Sequence, residues 1–268
     1  MGYVGSMTVT PAPPMTYARY LGLDAMLAAQ HPRSDAHDEL LFIIIHQASE
    51  LWMKLLLHEL EEARTRIAAD QLRQAFKMLA RVARIQGQLI QSWDVLATMT
   101  PSDYTAVRPH LGPSSGFQSH QYRQLEFMLG DRDRTMAAMH EPDARAALEA
   151  ELARPSLYDV ALALLRSRGF DVPLRTRLDT PHEPDPAVEA AWGVIYRDPD
   201  RHWDLYELAE KLVDIEYHFQ RWRFGHLKTV ERIIGFKRGT GGTEGVAYLD
   251  GVLKKRFFPE LMSVRTRL

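Results

Sequence analysis

The clearest pattern in this chain is an apolar stripe in its C-terminal third. From Asp198 to about Ile234, apolar positions recur at alternating spacings of three and four residues, which predicts one long α-helix with a single buried face. One member of the stripe is His226, and Gly225 beside it has no side chain, so another group could approach closely. A histidine in such a stripe is usually an ordinary core residue, and only the rest of the chain can assign it a function. The stripe consists of Leu205, Leu208, Leu212, Ile215, Phe219, Trp222, His226, Thr229 and Ile233.

Helical patterns also cover most of the remaining chain. We find no alternating strand of useful length and no internal repeat, so the sequence predicts an all-α fold, a single-domain helical bundle over 16–268 after a flexible segment 1–15. The stretches 130–155 and 169–184 are weakly patterned, and we expect surface excursions there. The predicted helices run over about 35–69, 71–98, 100–109, 117–129, 156–169, 185–196 and 198–234.

The helix that follows Thr100 has strong terminal signals. Thr100 supplies a capping oxygen, Pro101 a pre-set φ angle and Asp103 an acid in the first turn. Pro109 is expected to end this helix, because proline lacks the backbone N–H and crowds the preceding turn.

Composition narrows the functional classes. The 268 residues are 46% hydrophobic and 25% charged, as in a soluble globular chain that can surround a ligand. A net charge of −2 gives no reason to expect nucleic acid or an anionic membrane as partner. The lack of cysteine excludes disulfides and thiolate chemistry and is compatible with the cytoplasm, where we expect the protein. We also expect no signal peptide in 1–20 and no uninterrupted apolar stretch that spans a bilayer.

Two helical pairs carry candidate chemistry. Phe42 and His46 lie four residues apart, so they share a helix face. Tyr104 and Arg108 are spaced in the same way on the short capped helix. Although such an arginine is often only a solvated charge, its planar fork suits a carboxylate. A glycine-rich run, 235–242, directly follows the helix that carries the stripe histidine.

Phosphate and simple metal sites do not fit these motifs. The glycine-rich run lacks the Lys-Ser or Lys-Thr and the preceding strand of a P-loop, and Glu244 occupies the third glycine position of a dinucleotide motif. His58 and Glu59 lack the second histidine of a zinc protease. His46 and Glu50 have a ligand-like spacing, but oppositely charged neighbours are common on helices.

Six blocks of the chain, taken together, resemble the tryptophan 2,3-dioxygenase family, and they occur in that family's order. The resemblance extends roughly from Tyr17 to Leu261. Any one block is weak, whereas the ordered set is specific. The blocks are Thr16–Asp24, Phe42–Trp52, Ser102–Arg108, Gly112–Ser119, Trp222–His226 and Gly235–Gly242.

The resemblance implies a helical haem protein with haem b as cofactor. His226 would be the axial ligand of the iron, which leaves the opposite face of the haem for O2. Ser115 and Trp93 would belong to the cofactor side of the site. On the distal side, His46 would accept a hydrogen bond from the substrate's indole N–H, while Phe42 packs against the ring.

The resemblance also implies the substrate and the reaction. Arg108, assisted by Tyr104, would bind the carboxylate of L-tryptophan, and Thr240 would meet its ammonium group. The reaction would cleave the indole C2–C3 bond with O2 and give N-formylkynurenine, a step of tryptophan catabolism.

In this family the N-terminal segment reaches a neighbouring subunit. The resemblance therefore implies a homotetramer in which Tyr17, Tyr20 and Leu21 contribute to the pocket of another chain. Each active site would then depend on the oligomer.

One departure from the family pattern leaves an alternative open. Val107 stands directly before Arg108, where we expect the family to carry phenylalanine. The smaller side chain would widen the pocket, so a related haem-dependent monooxygenase that converts a 3-substituted or β-methylated tryptophan to an oxindole remains a second reading. A non-catalytic haem sensor is a third reading, although a sensor has no use for groups that fit both ends of an amino acid. A cofactor-free helical scaffold would leave the stripe histidine unexplained.

Overall fold

A computed structural model describes residues 14–242 and 244–268, and within them the fold is all-α, without a strand. This confirms the predicted fold class, while the segment 1–15 lies outside the described residues except for its last two positions. In chain order the helices are α1 (Tyr17–Leu21), α2 (Leu23–Leu27), α3 (Glu39–Ala68), α4 (Leu72–Leu96), α5 (Pro101–Leu111), α6 (His120–Leu129), α7 (Arg134–Ala137), α8 (Pro142–Leu152), α9 (Leu157–Ser167), α10 (Pro186–Arg197), α11 (Trp203–Ile234), α12 (Val246–Leu253) and α13 (Pro259–Ser263), with 3₁₀ turns at Gly116–Gln118 and Val264–Arg267.

The most extensive packing in the fold is that of α4 against α3 and against α11, and these three long helices form its centre. Leu208 and Leu212 of α11 are completely buried there, and burial of one such side chain contributes about 1.5–3 kcal/mol. Every residue of the predicted α11 stripe is buried except Trp222 and His226, which are only partly buried. The stripe therefore forms core along most of its length and is only partly covered at these two positions.

The predicted start of α5 is confirmed, whereas its predicted end is wrong. The Thr100 hydroxyl accepts from the Asp103 N–H while the Asp103 carboxylate accepts from the Thr100 N–H, which is a complete capping box. The helix then runs through Pro109 to Leu111 and ends at Gly112, whose φ is +56°. Proline's own φ suits a helix, and in the last turn its missing N–H removes only one hydrogen bond.

The prediction of a surface excursion over 130–155 is also wrong. This stretch contains α7 and α8, and Leu148 and Leu152 of α8 form a small second core with Phe127. Arg132 is fully buried, and its guanidinium donates to backbone carbonyls at the end of α8, at 2.9 Å from Glu151. Alanine-rich sequence weakened the helical signal, although the segment still has an apolar face.

Two other boundaries differ from the sequence prediction. A continuous helix was expected over 117–129, but Ser119 separates a 3₁₀ turn from α6 and caps α6 by accepting from the Tyr122 N–H at 3.2 Å. The long C-terminal helix begins at Trp203, because Asp198 ends the preceding helix α10. Both corrections arise from caps that interrupt an otherwise helical pattern.

A buried ion cluster fixes α6 against α11 next to the open part of the stripe. Arg223 donates from Nη2 to Glu126 Oε1 at 2.8 Å and from Nε to the Tyr122 hydroxyl at 3.3 Å. Arg123 forms a second ion pair with Glu126. Buried ion pairs contribute little net stability, but loss of one partner is costly. The cluster therefore fixes the orientation of this turn of α11 relative to α6.

Helix α3 changes character along its length. Met53 and Leu56 are buried in its C-terminal half, whereas Phe42 and His46 near its N-terminus are only partly buried. By length and composition alone α3 could cross a membrane, and little of its apolar window is buried within the chain. Its exposed side carries an α3 outer stripe, which consists of Leu40, Ile44, Leu51 and Leu55.

Candidate functional site

The structure brings the two predicted pairs close together, and the space beside them is the candidate pocket. The rings of Phe42 and His46 on α3 lie 4.2 Å apart between centroids. The Phe42 ring also lies 6.2 Å from that of Tyr104 on α5, and Arg108 follows one helical turn later on the same side of α5. The approach of the Phe42 ring to the Tyr104 ring therefore places the side chains of these two pairs near one another.

The hydrogen bonds of His46 define its tautomer. Its Nδ1 lies 2.7 Å from the backbone carbonyl oxygen of Phe42, and because a carbonyl only accepts, Nδ1 carries the proton. Burial lowers the pKa of His46, against the raising effects of this hydrogen bond and of Glu50. The ring is then neutral near pH 7, and its Nε2 presents a lone pair that can accept from an N–H donor.

The structure gives Glu50 a partner other than a metal ion. The side-chain amide of Gln121 donates to the Glu50 carboxylate at 2.7 Å and to its backbone carbonyl at 2.9 Å. Across 14–242 and 244–268, no group of three histidine or acidic side chains is placed to hold an ion.

Two loops form the mouth of the pocket, and the predicted substrate-binding residues connect them. Arg108 donates from Nη2 to the backbone carbonyl of Arg238 at 2.8 Å. The Thr240 hydroxyl donates to the carbonyl of Ser114 at 2.6 Å. The glycine-rich run is thus fastened to α5 and to the loop that follows α5, which the sequence motifs did not indicate.

The two loops touch most closely at Gly241. A Cβ atom on this residue would lie 2.7 Å from the Cβ of Ser115, so only glycine allows this contact. The Ser115 hydroxyl accepts from the Phe117 N–H at 3.3 Å and caps the 3₁₀ turn. The role of the Ser115 hydroxyl in cofactor binding stays a prediction.

His226 has an aromatic neighbour that explains Gly225. The indole of Trp93 on α4 stacks on the His226 imidazole, with ring centroids 4.8 Å apart and planes inclined by 8°. A Cβ on Gly225 would lie 2.7 Å from Cδ1 of Trp93. The close approach that the sequence suggested at this glycine is made by Trp93.

These residues fit a haem group. Burial, followed by electrostatic repulsion from His46, lowers the pKa of His226 to about 4, so the imidazole is neutral near pH 7, as metal ligation requires. The Nε1 atom of Trp93 is buried without a hydrogen-bond partner among the described residues, which leaves a donor for a group that would enter here. A single neutral imidazole from the protein would suit an iron that a macrocycle also ligates.

The predicted N-terminal site residues do not pack into this pocket within one chain. Tyr17 and Tyr20 are 76% and 77% exposed, Leu21 is 44% exposed, and α1 contains no buried residue. Val107, in contrast, is fully buried and is the buried residue of α5. Its effect on the width of the substrate pocket stays a prediction.

The fold and the site together define a class of protein. It is an all-α chain in which a core helix carries a neutral imidazole near a second neutral histidine, and these residues can hold a haem group. The family model described as tryptophan 2,3-dioxygenase matches residues 5–141 and 159–268. The chain belongs to this family.

Curated relatives agree with the family model. A protein from Erythrobacter litoralis named tryptophan 2,3-dioxygenase is 69% identical over 259 residues, which cover 95% of this chain and 98% of the relative. Proteins of the same name from Ruegeria pomeroyi and Bacillus cereus are 59% and 56% identical, over 94% and 95% of this chain and 92% and 93% of their own lengths. The similarity therefore includes all parts of the site.

Proposed function

We propose that this protein is a haem-dependent tryptophan 2,3-dioxygenase, an oxidoreductase that cleaves the indole C2–C3 bond of L-tryptophan, inserts both atoms of O2 and yields N-formylkynurenine. The observation that carries the proposal is the Nε2 lone pair of His46, which its hydrogen bond to the Phe42 carbonyl leaves available beside an aromatic ring in a member of this family. An indole N–H is the donor that this acceptor and this ring together suit.

Haem b, when bound, supplies the iron at which O2 is activated. His226 is the residue on α11 whose neutral imidazole would ligate that iron, with Trp93 and Ser115 on the cofactor side.

Substrate orientation is the task of the distal residues. His46 accepts from the indole N–H and holds the ring against Phe42, so that the reacting carbons have a defined position. Tyr104 lies next to Phe42 and closes the pocket between the aromatic wall and the carboxylate site. Protonation of His46 would remove the acceptor, and because burial lowers the pKa of this ring, we expect activity to fall only at pH values below the ordinary histidine range.

The amino-acid end of the substrate meets the two fastened loops. The Arg108 guanidinium has several N–H donors and uses one for the Arg238 carbonyl, so the others can bind the substrate carboxylate. Thr240 lies on the neighbouring loop, where its hydroxyl can turn toward the ammonium group. The two residues proposed to bind the substrate, Arg108 and Thr240, are therefore the same residues whose hydrogen bonds hold the loops together.

The test is product analysis with isotopically labelled O2. Ferrous, haem-loaded protein is incubated with L-tryptophan, and the product is examined by mass spectrometry. Two labelled oxygen atoms in N-formylkynurenine are the expected result. A single labelled atom, or turnover only of a β-substituted tryptophan with added reductant, would contradict the proposal. It would instead support the monooxygenase alternative that Val107 suggests. No turnover of any indole would leave a haem sensor.

We further propose that the protein is a homotetramer whose chains meet along the α3 outer stripe. These side chains are between 36% and 56% exposed, and a contiguous apolar face of this kind marks an interface. The N-terminal half of α3 also carries His46, Gln47 and Glu50, which a hydrocarbon environment disfavours. We therefore propose that a second copy of the chain, and not a bilayer, covers this stripe. In the oligomer, Tyr17, Tyr20 and Leu21 would insert into the pocket of a neighbouring chain. The proposed location of the protein is the cytoplasm.

Charges on the α3 outer stripe should dissociate the oligomer. The double variant Leu51→Glu and Leu55→Glu would bury carboxylates at the interface, and we expect a lower molecular mass by light scattering at micromolar concentration. Lys77→Glu, at an exposed position on α4 outside the α3 outer stripe, is the matched control and should keep the wild-type mass. An unchanged mass for the double variant would contradict this interface.

A further inference from the structure

The pocket residue with the most specific unexplained geometry is Trp93. Its indole is nearly parallel to the His226 imidazole, at 8°, with centroids 4.8 Å apart. Aromatic pairs in this arrangement attract each other beyond simple burial. The contact joins α4 to α11, so it does not follow from helical spacing in either segment.

We propose that Trp93 is a positioning residue for the haem ligand, because its stacked indole fixes the orientation of the His226 imidazole. The inference rests on the haem-dependent function proposed above. It goes beyond that function because it assigns the ring orientation of the ligand to a residue on another helix.

The surroundings of the imidazole support this role. The ring of Trp222 lies 5.8 Å from that of His226, at an angle of 39°, and 5.3 Å from that of Trp93. The imidazole therefore has one indole stacked on its face and a second one inclined to it. Rotation of the imidazole about its bond to Cβ would require Trp93 to move.

Gly225 makes the stacked position of Trp93 possible. Since a Cβ at residue 225 would lie 2.7 Å from Trp93 Cδ1 and 3.3 Å from its Cγ, alanine there would push the indole away from the imidazole. Alanine otherwise favours a helix over glycine, so a functional loss in Gly225→Ala would come from the displaced ring and not from the helix itself.

The Trp93 N–H is a separate feature of the same side chain. Nε1 is buried and lacks a partner among the described residues, and haem b carries carboxylates that could accept from it. Phenylalanine at position 93 would preserve a flat stacked ring and remove only this donor. Leucine would remove both the ring and the donor.

The experiment compares haem-loaded wild type with Trp93→Leu, Trp93→Phe and Gly225→Ala. Two properties are measured: the iron–histidine stretching band of the ferrous protein by resonance Raman, and the rate of haem transfer to apomyoglobin. Changes to residues that orient a metal ligand typically cost 10–100-fold in affinity. We expect roughly 10-fold faster haem loss and a shifted or broadened band in Trp93→Leu and Gly225→Ala, with the wild-type band retained in Trp93→Phe.

The matched control is Trp203→Leu, which removes an exposed indole near the start of α11, about 35 Å from His226 along the helix. It should keep both haem properties. A wild-type band and rate in Gly225→Ala and Trp93→Leu would overturn the inference. So would a band that changes equally in Trp93→Phe and Trp93→Leu, since the donor and not the stacked ring would then be responsible. Failure of the proposed function looks different: wild type itself would not bind haem, or His226→Ala would retain the wild-type band.

Discussion

Replacing His226 with alanine is expected to yield protein that lacks the normal haem Soret band and has no dioxygenase activity. The substitution removes the single imidazole that α11 presents to the pocket, and its neutral state depends on the burial that lowers its pKa to about 4. Without an axial protein ligand, haem would be held only by contacts with its edges. The measurement is the absorption spectrum and haem content of the purified variant.

A control on the same helix separates ligand loss from general damage to α11. His218 lies two turns earlier, and its Nδ1 donates to the Asp214 carbonyl at 2.7 Å on the exposed side, so His218→Ala should load haem normally. Added imidazole should restore part of the Soret band in His226→Ala, since a small ligand can enter the space that the side chain leaves. Full and spectrally normal haem retention without imidazole would dispose of the axial assignment.

The second large effect is expected from Arg108→Ala, which should mainly raise the KM for L-tryptophan. Truncating one partner of a charge pair in a closed site costs on the order of 2–5 kcal/mol, and the variant also loses the hydrogen bond that ties α5 to the Arg238 carbonyl. Arg108→Lys should recover only part of the loss, because an ammonium cannot form two parallel hydrogen bonds to a carboxylate. Steady-state kinetics in tryptophan and a direct binding titration measure the effect.

Arg73→Ala is the control for the loss of one positive charge, because this arginine is exposed on α4 and lines no part of the site. It should keep the wild-type KM. A wild-type KM in Arg108→Ala would remove the carboxylate role from this residue. A large fall in kcat at unchanged KM would instead assign it to the reaction step.

Much of this protein could be predicted from periodicity and short motifs. The three long helices, the buried face of α11 and the cap at Thr100 follow from local rules, since spacing determines which side chains share a face. The same rules placed Phe42 with His46 and Tyr104 with Arg108. The helices over 130–155 were missed because their local signal was weak. The end of α5 was predicted too early because the helix continues through Pro109 in its last turn.

The contacts that make the pocket depend on residues far apart in the chain. Gly225 indicated a close approach, but the partner, Trp93, comes from another helix, and its stacking follows from how α4 packs on α11. Likewise, the bond from Arg108 to the Arg238 carbonyl joins residues 130 positions apart.

Local sequence therefore determined the helices and their apolar faces, because these depend on backbone hydrogen bonds and on the side-chain period within one segment. The packing of whole helices determined which helix faces contact each other. It also determined which polar atoms lack a hydrogen-bond partner where those faces meet. The tautomer of His46 depends on both levels. The sequence spacing determines that the ring shares a helix face with Phe42, and the hydrogen bond to the Phe42 carbonyl in the folded chain determines that Nδ1 carries the proton. Helix packing minimises exposed apolar area over the entire chain, so its outcome depends on all the faces at once and not on any single segment.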